Sequence, residues 1–480
     1  MRSLSAVRWW CLGFALLLAT HAPLLSLPYF WDELGQFIPA SLDILQSGAW
    51  VPRMTTPNVH PPGVMAYLAL VWRIFGYSIT ATRIAMLAVA ALGLASTYAL
   101  AKRLGASPFW SALLLFVTPL FFTQSMMAQL DMPAMALTTA ALVLFLDRRY
   151  AWCAACCTLL VLTKETSIVA PIVFAVAVSR TGLRPVTRDI FHRLREPAYF
   201  LAPLTALGIW LLVLRAVTGN VLGDSEFAQY NVGYALNPVR ALFAILRRIF
   251  YLFFADFRVL GTAAAIWLWS KHRQTFAKLN PAWKLCLVFA VLQTLAVTLL
   301  GGAALERYLL PVFPILCAAL ASIPKTGIRA GLVAGLAISN FWAPPYPFPF
   351  ENNLAVVDFV RLQQRAAAYV EANYPSEEVA SAWPFTDAIR RPEFGYVSKP
   401  LHAVDSRDFA VSVFDPKQAR VVVVYTRVWP GGLLPYLSPI MRRFYGYDRP
   451  ITADDLGRRN FHRVGYFEQG GQSAEIYAHP

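Results

Sequence analysis

"RWWCLGFALLLATHAPLLSLPYFWDE", residues 8–33, decides the fold. An apolar run about as long as the ~20 residues that cross a bilayer ends on two adjacent carboxylates, Asp32 and Glu33. The basic "MRSLSAVR" ahead of it resembles the start of a signal peptide. No small-x-small cleavage pattern precedes Pro28, however, and further apolar runs follow, so the segment reads as a retained first span.

Apolar runs recur along the chain. Of its 480 residues 57% are hydrophobic and 14% charged, which places it among integral membrane proteins. Eleven spans are predicted, at 8–27, 80–101, 108–126, 132–147, 151–164, 166–180, 198–217, 250–270, 284–302, 308–323 and 328–345. The run 151–180 counts as two short spans, broken at "LTKETS". With the N-terminus inside, the inner loops hold 17 basic residues against three acids, as the positive-inside rule requires. The C-terminal segment then lies outside.

The chain therefore reads as a mainly α-helical polytopic membrane protein. A transmembrane domain occupies 1–349 and includes a first outer loop, 28–79, with two interfacial helices. One of these follows Trp31, with Leu34, Phe37, Ile38, Leu42, Ile44 and Leu45 on a loosely apolar face; the other covers Val64–Phe75. After the proline- and aromatic-rich "FWAPPYPFPF" (341–350), residues 350–480 read as an extracytoplasmic α/β domain. It begins with a helix that stops at Tyr374-Pro375, and strand-like runs follow: "EVASAWPF", "FGYVSKPLHAV", "ARVVVVYTRVW" and "HRVGYFEQGGQSAEIYAH".

The net charge of +15 does not indicate nucleic-acid binding. Residues 350–480 are neutral, and the excess sits mostly in inner loops facing an anionic leaflet. The six cysteines all lie in or beside apolar spans, and the C-x-x-C within "CAACC" reads as helix packing rather than a metal or redox site.

Nine of the 12 acids in residues 1–349 fall on the outer side, among them Asp32, Glu33, Asp131, Glu165 and Glu306. The bases His60, Lys164 and Arg307 sit at the same level. Ionisable groups at a membrane are expensive and tend to line a site or a pathway. Acids and cations together suit sugar transfer from a polyprenyl phosphate: a carboxylate takes the acceptor's proton and cations steady the departing phosphate.

Five stretches carry a resemblance: "FWDE" (30–33), "HPPG" (60–63), "QLDMPAMAL" (129–137), "LTKE" (162–165) and "ERYLLPVFP" (306–314). In this order and at these places the chain resembles the GT-C glycosyltransferases, in particular the branch of protein O-mannosyltransferases and aminoarabinose transferases. The resemblance implies an inverting transferase at the outer (periplasmic or lumenal) face of a membrane, and the lack of any Asn-x-Ser/Thr sequon points to a bacterial inner membrane. Its donor would be a polyprenyl-phosphate-linked sugar and its acceptor a protein, lipid or glycan. It implies Asp32, Glu33 and Asp131 as catalytic carboxylates and His60, Lys164 and Arg307 as donor-phosphate ligands, with Glu306 supporting. His60 departs from the lysine that aminoarabinose transferases carry before Pro-Pro. No metal is required, although an acid cluster of this kind also suits Mg²⁺ or Mn²⁺.

Structural readings stand beside these. Asp32 with Glu33, and Asp131, suit helix caps; Glu306 with Arg307, and Lys164 with Glu165, suit ion pairs; His60 suits a turn. A transporter of a lipid or anionic solute is the alternative function. Against it, the charges lie at span ends rather than the midplane and no inverted repeat is seen.

Overall fold

The computed structural model describes residues 2–181, 196–229, 237–271, 280–301, 304–342, 349–406, 409, 415, 418–427 and 450–480. Helix α1 (Arg2–His21) leads to Trp31 and a π-helical turn at Glu33–Phe37, continued by α2 (Ile38–Ser47). Helices α3 (Gly63–Phe75) and α4 (Ile79–Leu104) follow. The sequence predicts one buried face for the first loop helix; instead Ile38 through Asp43 are all buried, because α3 packs against α2.

Among the described residues, four helices are long and apolar enough to cross a membrane: Val7–Leu24, Ile79–Leu104, Glu196–Thr218 and Pro281–Leu299. Central α4 packs against α1, α5 (Pro108–Val117) and α7 (Asp131–Leu146). The peripheral helix α10 (Leu201–Thr218) turns Leu201, Ile209, Leu212 and Val217 outward, as a lipid-facing helix does.

Several predicted spans are divided, each for a visible reason. Pro119 ends α5 and starts α6 (Pro119–Gln124) inside the expected span 108–126. The expected span 250–270 straddles two helices, α11 (Pro238–Phe253) and α12 (Val259–Lys271), separated where Asp256 and Phe257 take φ of 51° and 60°. The expected span 308–323 opens as a 3₁₀ stretch, Glu306–Val312, containing Pro311, before α14 (Phe313–Ala321).

The break at "LTKETS" is a reversal. Helix α8 (Tyr150–Thr163) leads to Lys164, whose backbone is extended (φ −152°, ψ 123°), and to a 3₁₀ turn at Glu165–Ile168. Helix α9 (Val169–Thr181) then returns. Phe145, at the foot of α7, touches Tyr150 at the start of α8 (ring centroids 5.3 Å) and stacks on Phe174 of α9 (4.7 Å). Five residues into α9 the chain is thus back at the level where α8 began. Asp131, Lys164 and Glu165 consequently share the opposite end.

After α13 (Pro281–Leu299) and α15 (Thr326–Ser339), the chain enters a C-terminal sheet domain. Helix α16 (Ala355–Asn373) covers a five-stranded sheet of order β2-β1-β3-β5-β4. Here β1 is Glu378–Ser381, β2 His402–Asp405, β3 Val421–Tyr425, β4 His462–Gln469 and β5 Gln472–Ala478. Strand β1 pairs in parallel with β2 and β3, while β5 runs antiparallel to β3 and β4. The β4–β5 hairpin turns on Gly470 and Gly471, both at positive φ, as its two-residue loop demands. All four strand-like runs of the sequence contribute to this sheet.

Candidate active site

Each quoted motif delivers at least one side chain to the same end of the helix bundle. Arg307, in the 3₁₀ stretch before α14, is 3% exposed and is the hub. Its Nη2 pairs with Asp32 at the start of the π-helical turn. Its Nε lies 3.2 Å from Asp131 Oδ2, and its Nη1 donates to Glu351 (2.9 Å) and to Gln129 Oε1 (2.6 Å). Lys164 Nζ pairs with the other oxygen of Asp131 and lies over the Tyr308 ring at 4.1 Å. "FWDE", "QLD", "LTKE" and "ERY" therefore meet in one cluster.

Extended backbone at Lys164 sends successive side chains to opposite sides, so Lys164 and Glu165 do not pair with each other. Lys164 turns to Asp131, and Glu165 Oε2 meets His60 Nδ1 at 2.9 Å. Burial alone raises the Glu165 carboxyl, but His60 and Lys164 together hold it below its ordinary range. The glycine of "HPPG" permits this join: a Cβ on Gly63 would lie 2.9 Å from the Leu162 carbonyl carbon at the end of α8.

Glu33 lies apart from the Arg307 cluster. Fully buried, it accepts from Arg83 Nη1 (2.5 Å) and Nη2 (3.2 Å) of α4 and from the backbone N–H of Phe30 (2.8 Å) and Ala128 (2.6 Å). Every lone-pair direction is taken, which suits a scaffold ion pair holding the turn onto α4. Glu306 is not paired with Arg307 either. It accepts from Arg247 Nε (2.5 Å) and Asn352 Nδ2 (3.0 Å); burial would raise its carboxyl, yet Arg247 holds it below the usual range.

Two residues of the cluster escaped the sequence reading. Glu351 follows the linker prolines and reaches Arg307 with no motif to mark it. Burial pushes its carboxyl up most, Arg307 opposes and the neighbouring Asp32 reinforces, leaving it at about 7. Arg248, on α11, is 1% exposed; it donates to the Leu305 carbonyl and lies 5.9 Å from the Tyr308 ring centre. Its Nε and Nη2 have no hydrogen-bond partner among the described residues. The pair "RR" at 247–248 is its one sequence signal.

Asp32, Asp131 and Glu351 converge on a guanidinium, and among the described residues no group of three or more His, Cys, Asp or Glu is arranged to hold a metal ion. The cluster thus gathers three carboxylates around Arg307 and Lys164, with a third buried cation at Arg248. It can take a proton from a hydroxyl, and its cations can meet a phosphate.

Residues 59–210, which include His60, Asp131, Lys164 and Glu165, match the family model described as dolichyl-phosphate-mannose-protein mannosyltransferase. No curated protein sequence is a detectable relative. The fold is similar over its whole length to two crystal structures of ArnT from Cupriavidus metallidurans. The one bound to undecaprenyl phosphate is 14% identical with a TM-score of 0.54, and the apo one is 15% identical with 0.53; 98% of each chain is covered in both cases. The resemblance first seen in five short motifs is borne out, and the transferase is favoured over the transporter. The chain is thus a multi-pass membrane protein with the fold of those two structures, and the mannosyltransferase model matches it across the site, at residues 59–210.

Proposed function

We propose that this chain moves a sugar, with inversion, from a polyprenyl phosphate to an acceptor hydroxyl at the outer face of a bacterial inner membrane. Residues 1–349 form the transferase part, with the N-terminus cytoplasmic, and residues 350–480 a periplasmic domain. The observation that carries the reading is the meeting of Asp32, Asp131 and Glu351 on Arg307, with Lys164 shared by Asp131. The ArnT structure bound to undecaprenyl phosphate supports a lipid phosphate as the donor's leaving group.

In this reaction Asp32 accepts the proton of the acceptor hydroxyl as its oxygen attacks the anomeric carbon. The bond from that carbon to the phosphate oxygen breaks, and the polyprenyl phosphate departs with the electron pair. Arg307 and Lys164 steady the growing negative charge, and the two nitrogens of Arg248 that have no partner among the described residues supply further donors. Asp131 holds both cations in register, and His60, fixed by Glu165, stands at the rim. Glu33 and Glu306 act as scaffold. Side-chain cations suffice for a monophosphate leaving group, so the reading requires no metal.

The test uses membranes containing the protein and polyprenyl phosphates carrying radiolabelled hexoses or pentoses. Label should leave the polyprenyl carrier with at least one sugar, and only when Asp32 is present. Label retained on every donor overturns the reading.

A further inference from the structure

The C-terminal domain meets the membrane part at the residues flanking Asp32. Trp383, between β1 and the short helix Phe385–Arg390, lays its indole on Gly35 in the π-helical turn. A methyl group on Gly35 would lie 2.6 and 2.7 Å from indole atoms Cζ2 and Cε2, closer than real Cβ contacts come. The indole N–H is itself anchored, donating to Asp387 Oδ2 at 3.0 Å. Glycine weakens a helix, and here it admits an aromatic ring against the backbone.

On the other side of Asp32, Trp31 adopts φ 49°, a left-handed conformation rarely held by a bulky residue. Its ring meets Trp383 edge-on (5.4 Å, 79°), Phe359 of α16 (6.2 Å) and the Arg427 guanidinium (5.2 Å). All three belong to the C-terminal domain. Such a backbone persists only where its surroundings hold it.

We propose that Trp383 is a positioning residue for the transfer reaction: seated on Gly35 and against Trp31, it fixes the backbone on both sides of Asp32 and so aims that carboxylate. Its effect on rate rests on the glycosyltransferase reading; its effect on the turn does not. Other contacts keep the domain docked without it: Tyr396 donates to the Tyr29 carbonyl (2.7 Å), Tyr77 to the Glu393 carbonyl (2.9 Å) and Arg391 to the Met54 carbonyl (3.3 Å). Truncating Trp383 therefore removes the clamp and leaves the domain in place.

The experiment compares full-length wild type with Trp383→Ala, Gly35→Ala and the double variant in nanodiscs. Backbone hydrogen–deuterium exchange over residues 30–37 should quicken at least fivefold in Trp383→Ala, while β3 and β5 exchange as in wild type. At saturating labelled donor, kcat should fall tenfold or more with the donor KM within twofold, because Arg307 and Lys164 are untouched. Gly35→Ala should also slow turnover, and adding it to Trp383→Ala should cost nothing further, since the methyl group then has room. Unchanged exchange over residues 30–37 overturns the clamp. Faster exchange there with wild-type kcat overturns its part in the reaction. Quickened exchange in β3 and β5, with kcat and KM lost together, makes Trp383 merely structural and overturns the proposal too. A wild type that releases no label defeats the glycosyltransferase reading alone, and the exchange result still decides the clamp.

Discussion

Glu351→Gln separates the charge of the cluster from its shape. In the folded protein the Glu351 carboxyl titrates at about 7, raised mainly by burial and only partly restrained by Arg307. An unfolded chain titrates such a group near ~4.3, so the folded state binds the proton more tightly between those values. The sign follows: the contribution to stability is fully present below about pH 4 and is lost as pH rises through about 7. A gap of about 2.7 units at 1.36 kcal/mol each amounts to about 3–4 kcal/mol. With an unfolding entropy of about 2.1 cal/mol/K per residue, that corresponds to about 3–4 °C in a chain of this length. Thermal unfolding in detergent, followed by intrinsic fluorescence from pH 5 to 8, reads it directly. Between pH 5 and 8, which covers about 2 of those units, wild type should lose about 2–3 °C relative to Glu351→Gln, and the variant should melt higher at pH 8. Parallel profiles for the two proteins would refute the placement of Glu351 as a buried, charge-strained carboxyl.

Asp32→Asn should cut sugar transfer by about 10²–10⁴ while leaving expression and donor binding near wild type, as loss of a general base does; more than half the wild-type rate would dismiss Asp32 from that role. Arg307→Lys should restore only part of the turnover and donor affinity lost in Arg307→Ala, because an ammonium cannot present the guanidinium fork to phosphate; full rescue would argue against that contact. Glu33→Gln should act on stability rather than chemistry, lowering the melting point by leaving the buried Arg83 without the carboxylate it pairs with, a loss of about 3–5 kcal/mol. A normal melt with a lost kcat would return Glu33 to the reaction. For sidedness, single cysteines at Gln46 and Lys102, both exposed, are placed in a background without the six native cysteines. Gln46→Cys should react with an impermeant maleimide in intact cells and Lys102→Cys only in opened membranes; the reverse pattern would invert the proposed topology.

What the sequence made legible follows from where its information is local. Carboxylates and bases at the ends of apolar runs stand out against their surroundings, and Asp32, Asp131, Lys164 and Arg307 do meet. The strands of the C-terminal sheet also announce themselves, through β-branched runs and the Gly-Gly turn. Pairing choice is not local. Glu33 and Asp32 are neighbours of identical charge, yet one answers to Arg83 on α4 and the other to Arg307, more than 250 residues further on. Helix α11 escaped notice because its apolar face alternates with Arg240, Arg247 and Arg248, so no window along it is apolar throughout; its periodicity, not its mean hydropathy, marks it.

The same limit explains the two groups that complete the cluster. Glu351 follows a linker, where an acid ordinarily solvates a turn, and Arg248 lies on a helix that the apolar runs did not disclose. Neither carries a motif of its own. Both become conspicuous only when burial is known, since an ionisable group is costly in a dry site unless neighbouring charges need it. Arg307 supplies that need for Glu351, and for Arg248 the two nitrogens without partners among the described residues point to a need met by substrate. Linker, first loop and 3₁₀ stretch are thus joined by one guanidinium. The C-terminal domain reaches the same turn through Trp383, so the two halves of the chain meet at the turn that carries Asp32.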